Sequence, residues 1–324
     1  MTFFLFCGII LYAFTGVIII SDISNLKIFE TNLLDGPMKL KYEYFKEITG
    51  GVSRRKITDE MTLEMKEEFL AMRLNTGFKY GFDGKKIVVP YEIYGKYERG
   101  HYFVADEDVF AMDEDLWNVD IPADVVVLKK DNPGMVIAYP VSDEPVVIVE
   151  DKENGVCSLA HCSIERINKE IPNYAVDAVV NEAGSNIKNL KVYISSNLKK
   201  ENNYFLFKPS FINEHKKIWK DCTYNGAKAH INVNFKNDIL NRIFKYFAYS
   251  IDQEMAIHNM LVRKGVDPLN ITISDINTFS NPIYYSSAAE SLYGLDSKNG
   301  KFLVGAYYGE TFPNIKESTF VRKL

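Results

Sequence analysis

At 324 residues the chain is long enough for one large α/β domain or two small ones. Its 47% hydrophobic and 25% charged residues exclude a disordered polypeptide, and four cysteines without a CxxC pair exclude a disulfide scaffold. A net charge of −5 excludes the broad cationic surface of a general nucleic-acid binder, so the lysine pairs Lys199-Lys200 and Lys216-Lys217 read as solvated loop residues.

Residues 3–20 carry no charge and are dominated by Leu, Ile, Phe and Val. Their length stands at the lower limit for a membrane span and above the usual signal-peptide core, yet no Lys or Arg precedes them. Two readings stand side by side. Residues 1–21 are a signal or anchor, placing the chain outside the cell or on a membrane through residues 3–20 if uncleaved. Alternatively they supply a buried strand and helix to a cytoplasmic domain. The sequon Asn270-Ile271-Thr272 matters only in the first case.

Further along, Asp35-Gly36-Pro37 signals a turn, and Gly50-Gly51 a tight turn or close backbone approach. Asp59 is placed to cap a helix in which Met61, Met65, Phe69 and Met72 recur at core-packing intervals. Lys86 to Pro90 is a short strand running into Tyr91-Glu92-Ile93-Tyr94-Gly95. The acidic run from Asp106 to Asp115 lacks the glycine and closing glutamate of an EF-hand loop, and reads as a solvated loop.

The stretch from Ala123 to His161 organises the rest. Three short β-branched runs, at 123–128, 135–139 and 146–149, are divided by turn residues and predict adjacent buried strands, followed by Cys157 to His161. A helix over 165–183 is interrupted by Pro172, with strands at 191–195 and 204–207 and a Lys-rich irregular stretch at 208–231. Helices are predicted at 238–249 and 252–264, the second stopping at Gly265. A strand at 270–275, a loop at 281–300 and a final strand at 302–307 complete the chain. Helices and strands interleave without repeats, so the class is α/β, one domain over 22–324 with mixed β-sheets flanked by helices. GxGxxG, P-loop and nucleophile-elbow motifs are absent.

An ordered set of short motifs resembles the laccase-domain family, also described as multicopper polyphenol oxidase-like and known as purine nucleoside phosphorylases. Gly50-Gly51-Val52-Ser53 is similar to its GGVS, Ala123-Asp124 with Pro133-Gly134 to its ADA…PG, and Ala160-His161 to a strand ending in AH. Asp252, Ala256, Leu261, Gly265 and Val266 keep the spacing of its long helix, and Asn277-Thr278 with Tyr284-Tyr285-Ser286 resembles CT…FFSYRR. The resemblance covers roughly residues 40–308. It implies a zinc ion held by His, Cys and His beside a purine-nucleoside pocket, with arginines orienting phosphate for phosphorolysis, and adenosine deamination in some members.

The chain departs from that chemistry position by position. Tyr94 stands for the first metal His. Ser142-Asp143-Glu144-Pro145 replaces the motif carrying the ligand Cys and offers only carboxylates; His161 remains. The family's HAGWRG has become His161-Cys162-Ser163-Ile164-Glu165-Arg166, losing the glycine, the tryptophan and the arginine in register; the arginine pair has become Ala288-Ala289; and the closing TGR has become Asn299-Gly300-Lys301. Each charge-assisted phosphate contact so lost is worth about 1.5–3 kcal/mol.

Tyr94, Asp143, Glu144 and His161 are therefore the catalytic candidates, His161 the remaining metal candidate, and Lys301 and Arg166 the substrate-binding candidates. The competing reading of His161, as a satisfied histidine at a buried strand end, is the one the residue type favours. No cofactor is expected, save zinc if Tyr94, a carboxylate and His161 retain the site. The first expectation is a degenerate, non-catalytic member that binds a macromolecular partner or a purine nucleoside-like ligand; the alternative is a divergent phosphorylase or adenosine deaminase, zinc-dependent or metal-free. The acidic loop and Tyr284, Tyr285 and Tyr293 are candidate contact surfaces, with core packing as the competing reading for the tyrosines.

Overall fold

A computed structural model of the protein describes residues 17–21, 26–31, 87–88, 102–105, 123–132, 135–205, 207–225, 247–281, 284–293 and 302–309. The helix expected after Asp59, the acidic run from Asp106, Tyr94, Lys301 and most of the helix expected at 238–249 lie outside these residues.

The first half supplies strands β1 (Val17–Ser21), β2 (Leu26–Thr31), β3 (Ile87–Val88), β4 (Tyr102–Ala105), β5 (Val125–Lys129), β6 (Val136–Val141), β7 (Val146–Asp151) and β8 (Val156–His161). Helices α1 (Ile164–Asn168) and α2 (Ile171–Ala183) follow, then β9 (Lys191–Ile194) and β10 (Tyr204–Phe205). Next come α3 (Ser210–Glu214), α4 (Lys216–Trp219), β11 (Thr223–Asn225), β12 (Tyr249–Ile251) and α5 (Gln253–Lys264). The last elements are β13 (Ile271–Ile273), α6 (Ser287–Tyr293) and β14 (Phe302–Tyr308).

These strands form two large mixed sheets and a small antiparallel one. The six-stranded sheet runs β13-β9-β7-β8-β5-β4, the five-stranded sheet β1-β2-β14-β6-β3, and the small sheet β10-β12-β11. In the six-stranded sheet both outer pairs, β4 with β5 and β13 with β9, are parallel, while the pairs between them are antiparallel. β1, which overlaps the end of the apolar stretch 3–20, pairs antiparallel with β2.

The runs expected as three adjacent strands divide between the sheets. β5 and β7 both pair with β8, whereas β6 pairs with β14 and β3 in the other sheet. A β-branched run reveals burial on both faces and says nothing of which sheet buries it. Alternation then sorts the side chains. Val126, Leu128, Ile148, Leu159 and Tyr193 face the core shared with the five-stranded sheet. Val125, Val127, Val147, Val149, Ala160 and Ile194 face a second core closed by helices. The result is three layers: sheet, sheet, helices.

The helical layer is built from α2 and α5. Small residues on α2, Ala175 and Ala178, bring its axis close to the sheet beside Val176 and Val179. The helical stretch expected over 165–183 is broken between α1 and α2, and Pro172 lies in the first turn of α2, where no intrahelical N–H is required. Asp252 caps α5 by accepting the Met255 N–H at 3.0 Å, and Gly265 ends it at φ 112°. The stretch expected to be irregular holds α3, α4 and β11, pinned by a buried Trp219 whose Nε1 donates to Asn168 Oδ1 at 2.6 Å. The expected loop at 281–300 contains α6.

Two surface readings are corrected. Tyr284 and Tyr285 are buried in the sheet–sheet core and offer no contact surface. Lys199 is buried as well, its ammonium bonded to the Glu254 carboxylate and the Ser274 carbonyl, while Lys200, Lys216 and Lys217 are exposed as expected. Among the described residues no helix is long and apolar enough to cross a membrane.

Candidate functional site

The candidate site lies where the six-stranded sheet meets the turn crossing from the other sheet. β8 ends at His161, opposite Val146 at the start of β7, so the Ser142–Pro145 turn sits directly beyond the imidazole. The Cys162 N–H donates to the Pro145 carbonyl at 2.8 Å and closes that edge. The strand period turns Cys162 the other way, into the helix-side core.

Of the four catalytic candidates, Glu144 and His161 meet. Glu144 Oε2 lies 2.9 Å from His161 Nε2, an ion-pair distance whenever the imidazole is protonated. The His161 side chain is 7% exposed and that of Glu144 42%, so the pair has one buried and one water-facing member. Tyr139 flanks the imidazole with ring centroids 6.2 Å apart.

Asp143 is engaged elsewhere. Its Oδ1 accepts the Thr278 hydroxyl at 2.8 Å and its Oδ2 accepts the Ala288 N–H at the start of α6, also at 2.8 Å. Its carbonyl accepts Gln253 Nε2 at 2.9 Å and the Leu198 N–H at 3.0 Å. Ser142 adds a 2.9 Å contact to Ser287. One turn is thus tied to the loops after β9 and β13 and to the starts of α5 and α6, which fixes the stem from which Glu144 extends.

Arg166 is buried in α1. Its Nε donates to the His161 carbonyl at 2.7 Å, and its two terminal nitrogens go to Asp124, one of them to the carboxylate at 3.2 Å. The guanidinium thus straps the end of β8 to the residue preceding β5. Tyr94 and Lys301 lie outside the described residues. Thr278, Gln253 and Asp124 were not singled out as site residues from the sequence. Thr278 and Asp124 do fall within the quoted motifs, which was the available signal; a lone Gln in a helix carried none.

A second polar cluster sits deeper. The Glu30 carboxylate on β2 accepts from the Tyr193 hydroxyl at 2.8 Å, the Ser196 N–H at 2.9 Å and the Tyr284 hydroxyl at 3.0 Å. Burial first, and then the Glu30 charge, push both phenols above their ordinary range, so each stands as a neutral donor.

A family model described as multi-copper polyphenol oxidoreductase laccase matches residues 102–297, more than half of the chain. The protein belongs to this family. Its fold resembles the hypothetical protein YfiH of Bacillus licheniformis, with a TM-score of 0.62 at 12% identity over 91% of this chain and 97% of that one. YlmD of Geobacillus stearothermophilus gives 0.58 at 11% over 92% and 94%, and the Neisseria meningitidis protein NMB0706 gives 0.53 at 10% over 91% and 100%. At these identities the likeness is one of fold. No curated protein matches the chain.

The resemblance implies a zinc ion, and the donors among the described residues do not fit one. Among the described residues no three His, Cys, Asp or Glu side chains converge. Tetrahedral zinc with bonds of about 2.0–2.1 Å spaces its donors about 3.3 Å apart and takes at least three protein ligands. Here the imidazole and carboxylate touch directly at 2.9 Å, and the neighbouring Asp143 is turned away into Thr278 and Ala288.

Proposed function

We propose that the protein is a laccase-domain member that acts as a binding or interaction module and does not carry out metal-dependent turnover. What supports this reading is the internal commitment of its site groups: His161 to Glu144, Asp143 to Thr278 and Ala288, Arg166 to Asp124 and the His161 carbonyl. Groups so engaged form a rigid wall and leave Glu144 as the water-facing polar group of the pair. The ligand class favoured by the family resemblance is a purine nucleoside or a close analogue, held by shape and hydrogen bonds without phosphate activation. Calorimetry with adenosine and inosine, beside assays for released base in phosphate buffer, tests this. Binding without turnover is the expected result; steady base release would overturn it.

The 2.9 Å Glu144–His161 contact favours one second reading, a metal-free acid–base pair acting on the same ligand class. Under that reading any turnover disappears in both Glu144→Gln and His161→Ala.

A further inference from the structure

We infer that the direct Glu144–His161 contact replaces the metal of the family, doing for this chain the mechanical work a bound ion would otherwise do. The inference rests on family membership and deepens the reading above. A metal ligated by the 142–145 turn and by the end of β8 joins a turn crossing from one sheet to a strand of the other. In this chain that turn offers Asp143 and Glu144 in place of the thiolate the resemblance implies, and Glu144 is the one that lies 2.9 Å from His161 Nε2.

Three structural features converge on the substitution. The donor separation suits a direct contact between the two groups and falls short of the spacing around a tetrahedral ion. Asp143, the nearest other carboxylate, has both oxygens used by Thr278 and Ala288, so it does not complete a ligand set. Arg166 holds the His161 backbone from behind through its carbonyl, fixing the imidazole in its place. A hard carboxylate paired with one imidazole also has far less preference for zinc or copper than thiolate with two imidazoles.

The test uses the full chain, purified without a histidine tag and dialysed against zinc or copper, with metal content read by mass spectrometry. The wild type is expected to keep less than about 0.1 equivalent of either metal, and its melting temperature to be unmoved by a strong chelator. Glu144→Cys, which places a thiolate beside His161, is expected to raise zinc affinity about tenfold or more in competition with a chromophoric chelator. Glu144→Gln is expected to lower the melting temperature without changing metal content. One equivalent of metal in the wild type, lost in His161→Ala, would overturn the inference, as would a Glu144→Cys variant with no gain. These outcomes are separable from the functional reading: a metal-free protein that turns over nucleosides defeats that reading alone, and an idle protein loaded with zinc defeats this inference alone.

Discussion

Glu30 and Tyr284, 254 residues apart in the chain, share a hydrogen bond of 3.0 Å inside the sheet–sheet core. The same carboxylate also takes Tyr193 and the Ser196 N–H, so it links β2 of one sheet to β9 of the other and to the segment leading into α6. Removing the carboxylate strands three buried donors. Glu30→Ala is therefore expected to cost about 3 kcal/mol or more, and Tyr284→Phe only about 1 kcal/mol, because the carboxylate keeps two donors. Urea unfolding of both variants checks the order; equal losses would refute the shared-acceptor account.

Gly305 on β14 pairs with Phe29 on one side and Ala138 on the other. A Cβ at this position would meet the Ile137 carbonyl oxygen at 2.3 Å and Phe29 Cζ at 2.6 Å. Backbone on one side and a packed ring on the other leave no inexpensive relaxation. Gly305→Ala is expected to destabilise by about 3 kcal/mol or to prevent folding altogether. A variant with wild-type melting temperature would show that the three strands separate readily, contrary to this packing.

Two carboxyls make stability depend on acid. Burial opposes ionisation of Asp151, but hydrogen bonds from Ser185 and from Asn154 and Glu153 outweigh it and hold the group below its ordinary 3.8. Glu182 lies below its ordinary 4.5 because Lys129 and Tyr102 bond it, Lys129 at 2.8 Å and Tyr102 at 2.8 Å. Folded values below unfolded ones mean the stabilisation is fully present above about pH 5 and is lost as pH falls through the two carboxyls' folded range. Urea midpoints are expected to hold between about pH 7 and 5 and to fall towards pH 3. The Asp151→Asn variant should show a shallower acid slope; an unchanged slope would exclude Asp151 as a source.

Cys157, Cys162 and Cys222 are buried thiols. Burial, reinforced by Asp252, pushes the Cys222 thiol up to about 11, and burial raises Cys157 well above the usual range. The thiolate is the reactive form of Cys157 and Cys222, and burial closes all three to reagent, so iodoacetamide at about pH 8 is expected to leave them unmodified in the folded protein and to alkylate them in denaturant. Peptide mapping reads this directly. Rapid native labelling of Cys222 would contradict the closed helix layer around it.

The sequence made the α/β class, the strand runs and the family legible, because β-branched runs, capping residues and motif order are local signals. Asp252 and Gly265 bounded α5 correctly for that reason. Sheet membership was not local: β6 follows β5 by a few residues yet belongs to the other sheet, a choice made by β14 much later in the chain. The replaced ligand positions could be read off residue types at 143, 144 and 161. That Asp143 faces Thr278 and Ala288 depends on chain segments 135 and 145 residues away, whereas Glu144 meets His161 through the nearby return of β8. Likewise Lys199 looks like a surface lysine until Glu254 and Ser274 are brought to it.

β14 lies between β2 and β6, so residues 302–308 close a gap between strands made near the start and middle of the chain. During synthesis the six-stranded layer has all its strands once Ile273 has emerged from the ribosome, whereas β2 and β6 each wait with an open edge for the final strand. The half-made protein is therefore a template for intermolecular strand pairing, and a nonsense mutation upstream of residue 302 yields an aggregating product in place of a shorter working one.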